Sequence, residues 1–291
     1  MSAEDLNIYN VKISEEKLGE IDKGSLPAIP HFITVLGRIR SGKSLIAQNL
    51  YLSPRFYGND FDVKILISPT AVNDAQCIHM IDNFDFVFDS YNESLLDEIL
   101  DMIKNDETNM KYILVLDDAI DSNFIQSKSG VPDRFSQLIT RFRHVGNSKY
   151  EGKLSICLLI QYFKFLTPIC RNNSSAMILA GEFPQSELKK VSESFSYFGG
   201  DDRAFMDIYN RSRSHPNNCG WDFLYLNTKT LTARRNFSGE VLWSRDLEMA
   251  KNKIGGCETE ETEEVVKPEE KPEKKKKKEF QRKSKGVVKF D

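Results

Sequence analysis

Eight consecutive residues, Gly37-Arg38-Ile39-Arg40-Ser41-Gly42-Lys43-Ser44, set two glycines five positions apart and close on a lysine and a serine. That spacing suits a loop that cradles phosphate. Two glycines let the chain curl until successive backbone N–H groups converge on phosphate oxygens, at the positive end of a helix beginning near Lys43. Lys43 is placed to reach the β- and γ-phosphates of a nucleotide, and the Ser44 hydroxyl to ligate Mg²⁺. Arg38 and Arg40 are not prescribed by the pattern and read as solvated side chains within the binding octapeptide. The flanks agree: Phe32 to Leu36 is an apolar run that reads as a buried strand, and Leu45 to Leu50 reads as the helix leaving the loop.

A second apolar run, Tyr112 to Leu116, ends in Asp117-Asp118. An acid at the end of such a strand is the complement of a phosphate loop, because its carboxylate lies beside the metal and holds Mg²⁺, often through water. Asp117 takes that role, and Asp118 suits a general base that polarises an attacking water. The plainer reading is a strand capped by two surface acids. A third run, Leu154 to Ile160, ends in Gln161, whose amide would touch the γ-phosphate or the water if its strand lies between the other two.

The rest of the chain supplies the scaffold. Further strands are expected at Val63–Ser68, Asp85–Phe88, Ala176–Ala180 and Trp221–Leu226, with helices over Leu95–Ile103, Phe135–Phe142, Pro184–Phe198 and Asp202–Arg213 and a polar surface loop over Asn123–Asp133. Apolar strands alternating with helices predict an α/β fold of the P-loop NTPase type, a mainly parallel sheet covered by helices on both faces. Ligands on such sheets sit at the carboxyl ends of the strands. Three regions are expected: a loosely attached N-terminal arm over 1–30, an ATPase domain over 31–250 and a disordered charged tail over 251–291. The tail carries an acidic run from Glu258 to Glu264, two Lys-Pro-Glu triplets and the block Lys274 to Lys278, too little apolar surface to fold. It reads either as an added phosphate-binding element or as a solubilising or targeting segment.

Composition bounds the partners. The formal net charge is −3, and residues 251–291 hold 13 Lys+Arg against 10 Asp+Glu, which leaves 27 basic and 33 acidic residues ahead of them. With a mildly acidic body, nucleic acid would have to be met by a local basic patch. The five cysteines, Cys77, Cys157, Cys170, Cys219 and Cys257, are odd in number and form no C-x-x-C pair, which points to a reducing, intracellular compartment without structural zinc. No apolar run approaches the ~18 residues of a membrane span, and Met1 to Lys12 lacks the apolar core of a secretory signal.

Taken in order, Gly37 to Ser44, Leu114-Val115-Leu116-Asp117-Asp118, Arg141-Phe142-Arg143-His144, Leu158-Leu159-Ile160-Gln161 and Arg171-Asn172-Asn173 resemble the FtsK–HerA superfamily of P-loop ATPases. The likeness is greatest to the poxvirus-type genome-packaging ATPases of large DNA viruses and virophages, and spans about residues 30–245. It implies a ring-forming homo-oligomer that hydrolyses ATP with Mg²⁺ and drives double-stranded DNA into a preformed capsid, with capsid or portal-vertex proteins as partners. The infected host cytoplasm, a viral factory or the virion is then the place of work. Many members carry Glu as the second acid, and Asp118 is one methylene shorter. In relatives the region of Arg141 and Arg143 supplies an arginine to the neighbouring subunit's nucleotide. Arg143 is the first candidate, followed by Arg141 and Arg171; the alternative is that they are solvated at a helix end. His144 forms no spaced metal set with the other histidines. Phe163 and Phe165 read as core rather than as the lining of a DNA channel, and Arg234-Arg235 as phosphate contacts or a plain exposed pair.

Two other functions fit the same residues. A nucleotide or small-molecule kinase would need an arginine-rich lid that is not identifiable, and Asp118 with Gln161 favours water as acceptor. A nucleotide-gated DNA-binding assembly factor without turnover is the other, given the short Asp118.

Overall fold

Apolar runs with no polar alternation become strands buried on both faces. In the computed structural model, which describes residues 25–71, 77–119, 133–214, 222–237 and 239–249, these are β1 (Phe32–Gly37), β2 (Val63–Ile67), β3 (Phe86–Phe88), β4 (Tyr112–Asp117), β5 (Leu154–Ile160), β6 (Ala176–Ala180) and β7 (Phe223–Asn227), followed by β8 (Thr232–Arg235) and β9 (Val241–Ser244). Every residue of β1, β4, β5, β6 and β7 is buried. They form one nine-stranded sheet in the order β3-β2-β4-β5-β1-β6-β7-β8-β9, parallel from β3 through β6 and antiparallel from β7 on.

Helices cover both faces. On one side α1 (Lys43–Leu52) and α2 (Ile78–Asn83) bury Ile46, Leu50 and Met80 against Ile33, Val35, Ile113 and Val115. On the other, α3 (Glu93–Asn105), α4 (Arg134–Arg141), α5 (Pro168–Asn173), α6 (Gln185–Ser194) and α7 (Asp202–Arg213) bury Leu96, Leu138, Leu188 and Ile208 against Leu114, Leu116, Ile156 and Leu158. Alternate residues of each strand therefore serve opposite cores. Side-chain oxygens of Asn92, Asp133, Thr167 and Asp201 accept the backbone N–H three residues on and start α3, α4, α5 and α7. The Asn92 cap begins α3 two residues before the apolar periodicity does.

Several elements differ from expectation. The strands β8 and β9 and the helices α2 and α5 carry too little periodicity to be read from sequence; Thr232-Ala233-Arg234-Arg235 becomes a strand by pairing with β7. Residues 25–30 are fastened rather than loosely held: Ser25 O accepts from Tyr225 Oη at 2.7 Å and Asn227 Nδ2 at 3.1 Å, Pro27 O accepts from Tyr57 Oη at 2.5 Å, and Leu26 is buried. Residues 1–24, the charged tail and nearly all of the expected loop over 123–133 lie outside the described residues. Cys77, Cys157 and Cys170 are free thiols buried in the interior. Among the described residues no helix is long and apolar enough to cross a membrane.

The amino-terminal edge of the sheet is fixed by buried polar contacts. His31 is wholly buried, its N–H donates to Ser155 Oγ at 3.1 Å, and its Nε2 lies 3.2 Å from Tyr51 Oη. Lys153, also buried, pairs with the Asp106 carboxylate and donates to Asp106 O at 2.8 Å, while Asn147 Nδ2 donates to the same carbonyl at 2.6 Å. Removing one partner of such a pair would leave a buried charge uncompensated.

Burial lowers the His31 pKa from 6.5 to about 3, so the folded state keeps the ring neutral while the unfolded chain protonates near 6.5. The stability this supplies is complete above pH 6.5 and is lost as pH falls toward 3, at up to ~1.4 kcal/mol per pH unit. Between pH 7.5 and 5.5, where carboxylates scarcely titrate, urea unfolding of the wild type should lose ~1.4 kcal/mol more than that of His31→Gln. Equal losses in the two proteins would remove His31 as the cause.

Candidate active site

The loop between β1 and α1 is tight because its glycines are needed. A Cβ on Gly37 would fall 2.2 Å from Ser41 Oγ and 2.7 Å from Ala180 O. Gly42 (φ 88) caps α1 in the left-handed region, and Arg40 (φ 63) is held there as well, a conformation that costs a side-chain-bearing residue of order 1 kcal/mol or more. Hydrogen bonds from Ser41 N to Arg38 O (3.2 Å) and from Ile46 N to Gly42 O (2.9 Å) close the turn onto the helix. The amino-terminal end of α1, at Gly42 to Ser44, is where the helix dipole favours an anion. Arg38, Ile39 and Arg40 are exposed on the crown of the loop, as expected for solvated arginines.

The sheet order brings the remaining parts together. Strand β5 lies between β4 and β1, as the reading of Gln161 required, so the carboxyl ends of all three sit side by side. Ser44 Oγ donates to Asp117 Oδ2 at 3.0 Å, and Gln161 Nε2 donates to Asp118 Oδ2 at 2.8 Å. Asp118 takes φ 48, the left-handed turn that ends β4, and the two neighbouring carboxylates go to different partners. The direct Gln161–Asp118 bond was not foreseen from sequence; only adjacency in the sheet reveals it. Also missed was Gly181 (φ 83), directly after β6, where a Cβ would fall 2.9 Å from Ser41 Cβ and where Tyr209 Oη donates to the carbonyl at 2.9 Å. Its signal was a glycine at the carboxyl end of a strand beside the loop.

The residues fit a nucleotide with magnesium. Ser41 Oγ is buried with no hydrogen-bond partner among the described residues, inside a cradle that a side chain at 37 or 181 would fill. Lys43 is buried, and its Nζ reaches Arg38 O at 3.3 Å. A buried ammonium with one neutral acceptor among the described residues suits an incoming phosphate. Ser44 and Asp117 offer the two hard oxygens that Mg²⁺ takes from protein when phosphates and water complete its shell. No group of three or more His, Cys, Asp or Glu gathers for a metal among the described residues.

The candidate arginines lie elsewhere. Arg143 follows α4 in a single 3-10 turn (Phe142–His144) at the amino-terminal edge: the ring of Phe142 meets that of Phe32 at 6.3 Å, and a Cβ on Gly152 would lie 3.2 Å from Arg143 O and 3.5 Å from Pro30 Cγ. The length of β1, roughly 17 Å, separates that edge from Gly37. Arg143 is exposed, with its guanidinium 5.3 Å from the Phe142 ring centroid. Arg141 is exposed too and lines a pocket of about 420 Å³ with Leu100, Leu138, Val145, Arg134 and His144. Arg171 is half-buried: its Nη1 donates to Ser194 Oγ at 2.6 Å and its guanidinium stacks 5.0 Å from the Phe163 centroid, so it serves local packing between α5 and α6. Among the described residues no hydrogen bond or ion pair joins any of the three to Asp118. Phe163 is buried as core and Phe165 is half-buried. Arg235 is tied to Glu240 at 3.3 Å and Arg211 O at 2.8 Å.

The architecture is similar to solved structures. The genome packaging NTPase B204 from Sulfolobus turreted icosahedral virus 2 in complex with AMP matches with a TM-score of 0.52 and 16% identity, covering 71% of this chain and 96% of that one. B204, the DNA-packaging ATPase from Sulfolobus Turreted Icosahedral Virus, matches with a TM-score of 0.50 and 16% identity over 72% and 97%. Both likenesses establish the fold, a P-loop NTPase fold built on a mainly parallel sheet. No protein-family model and no curated protein matches the chain.

Because a methyl group at position 37 collides with backbone as well as with Ser41, Gly37→Ala should destabilise the protein by ~1–3 kcal/mol and deform the loop. Thermal unfolding together with titration of an ATP analogue checks this; a variant of unchanged stability and affinity would contradict the crowding.

Proposed function

We propose that this chain is an ATPase of the FtsK–HerA type that hydrolyses ATP to drive double-stranded DNA into a preformed viral capsid. The observation that carries the reading is the pair of hydrogen bonds at the carboxyl ends of β4, β5 and β1, Ser44 to Asp117 and Gln161 to Asp118. One joins the Ser44 hydroxyl to the Asp117 carboxylate, a pair suited to Mg²⁺, and the other joins the Gln161 amide to a second acid that a kinase would not need. The likeness to viral packaging NTPases and the resemblance of the ordered motifs support the DNA-moving part.

In this proposal the amides of Gly37 to Ser44 and Lys43 hold the triphosphate, with Ser44 and Asp117 as ligands of the magnesium ion. When bound, that ion neutralises charge on the phosphate oxygens. The Asp118 oxygen that Gln161 leaves open accepts a proton from the attacking water, and the Gln161 amide orients that water against the γ-phosphate. Arg143 acts on the next subunit's nucleotide in a ring: supporting this, it is exposed, no ion pair holds it among the described residues, and it lies at the opposite edge of the sheet from its own phosphate loop. Capsid or portal-vertex proteins receive the motor, in the infected host cytoplasm, a viral factory or the virion. The division into an arm, a catalytic body over 31–250 and a charged tail belongs to the same proposal, with the tail adding phosphate contacts.

Steady-state ATPase measured with and without duplex DNA is the direct test. Turnover that DNA stimulates is expected; binding without turnover would leave an assembly factor, and phosphoryl transfer to an added acceptor a kinase. Lys43→Ala should abolish ATP binding by calorimetry, whereas Asp118→Asn should bind nearly as the wild type and lose at least ~100-fold in turnover. Comparable affinity of Lys43→Ala and wild type would remove the loop assignment.

A mixing experiment addresses the arginine. Arg143→Ala subunits keep their own phosphate loop, and Lys43→Ala subunits keep their arginine. Together they should regain part of the activity that each lacks, since a trans arginine raises turnover by roughly 10³–10⁵ in other P-loop enzymes. A mixture that co-assembles and stays inactive would sink the trans role.

A further inference from the structure

The turn that follows Gln161 has a different character from the rest of the carboxyl edge. We infer that the Tyr162–Phe165 turn is a contact for the DNA sugar-phosphate backbone, set in position by the Gln161–Asp118 hydrogen bond. The inference rests on the DNA-moving reading given above and specifies where the strand is held.

Residue by residue, the turn divides into an anchor and a presented face. Phe163 is buried, its N–H donates to Glu187 Oε1 at 3.0 Å, and the Arg171 guanidinium lies over its ring. Backbone bonds from Phe165 N to Tyr162 O (3.1 Å) and from Leu166 N to Phe163 O (3.0 Å) close the 3-10 turn over Phe163–Phe165. The turn is therefore held from beneath. On its outer side Tyr162 is 47% exposed, and Lys164 is exposed with its Nζ 5.5 Å from the Tyr162 centroid and 4.9 Å from the Phe165 centroid. The two rings meet edge-on at 5.7 Å. Among the described residues no carboxylate pairs with Lys164.

An ammonium steered by two rings and left without a counter-ion, next to a phenolic O–H donor, has the composition of a phosphate contact. Such contacts fix a protein on duplex DNA and carry no sequence information, which is what a translocating enzyme requires. An acidic protein surface would satisfy the ammonium as well. The placement favours DNA: one peptide bond joins Tyr162 to Gln161, whose amide is bound to the proposed catalytic base. Exchange of that amide bond between Asp118 and a phosphate oxygen moves the start of the turn, so nucleotide state and strand contact change together.

The test uses the full chain, with Lys164→Ala and Tyr162→Ala made singly and together; both side chains point outward, and Lys164→Arg serves as the conservative control. Binding of a fluorescent 30-base-pair duplex is followed from 50 to 200 mM salt, alongside ATPase with and without DNA. The double variant should bind about tenfold more weakly, with the salt slope for Lys164→Ala reduced by roughly 0.9. Basal ATPase should stay at the wild-type rate, DNA stimulation should fall, and Lys164→Arg should restore the slope. The ratio of duplex affinities with ADP and with a non-hydrolysable ATP analogue should approach one in Gln161→Ala. If the wild type is stimulated by duplex but the double variant matches it in affinity, slope and stimulation, this contact is wrong while the motor reading stands. Loss of self-association and basal ATPase at unchanged duplex affinity would make the turn a subunit contact and overturn the inference. A wild type that neither binds duplex nor responds to it would overturn both.

Discussion

Everything at the candidate site depends on β5 being hydrogen-bonded in parallel between β1 and β4. The register pairs Leu36 with Ile160 and Asp117 with Leu159, which ends three strands at one level. Ser44, Asp117, Asp118 and Gln161 come from positions up to 117 residues apart in the chain, between 44 and 161, and meet only because of that level. A slip of one residue in β5 would turn its whole apolar set to the wrong core and carry Gln161 out of reach of Asp118. Burial of both faces makes such a slip expensive, so the two cores protect the geometry of the site.

The two edges of the sheet do different work. At the amino-terminal edge most buried polar groups find protein partners, the His31 backbone N–H with Ser155, its Nε2 with Tyr51, Thr34 with Ser174 and Lys153 with Asp106, while His31 Nδ1 has none among the described residues. Those contacts set where the strands begin and hold the segment from Val145 to Lys153, beside which Arg143 and His144 project. At the carboxyl edge, polar groups are placed but incompletely engaged: among the described residues Ser41 Oγ has no partner and Lys43 has one weak acceptor. Burying such groups is costly without a ligand. A ligand that supplies the missing acceptors recovers that cost, which is the physical basis for nucleotide affinity at this edge.

Two of the four described non-glycine residues with a left-handed backbone belong to the site. Arg40 and Asp118, neither of them glycine, adopt left-handed conformations, one on the crown of the loop and one at the end of β4. Leu231 and Asn236, the other such residues among those described, sit in turns beside β8. Beside Arg40, Gly37 and Gly181 let the chain pack closely on Ser41, and Gly42 takes a left-handed conformation of its own. The surrounding sheet over-determines Asp118, whose N–H donates to Leu159 O at 3.3 Å. Strain at a site held by a rigid scaffold keeps reactive groups from relaxing into one another.

The sequence by itself determined the local chemistry and the class of fold. Gly37 to Ser44 needs only its own neighbours to form a phosphate cradle, and the uniformly apolar runs of β1, β4, β5 and β6 could be satisfied only in a sheet covered on both faces. Short polar elements were illegible for the converse reason: Thr232–Arg235 has no strand pattern of its own and becomes one by adding to β7, and α2 and α5 are too brief to show a period. Only the tertiary structure decided the relations between distant residues. Arg141, Arg143 and Arg171 look equivalent as arginines near helix ends, yet packing ties Arg171 to Ser194 and Phe163 and puts Arg143 a strand's length from its own phosphate loop. The same holds for Gln161, an unremarkable amide in sequence, which acquires a partner in Asp118 because hydrogen bonding between strands, and not proximity along the chain, sets the distance between them.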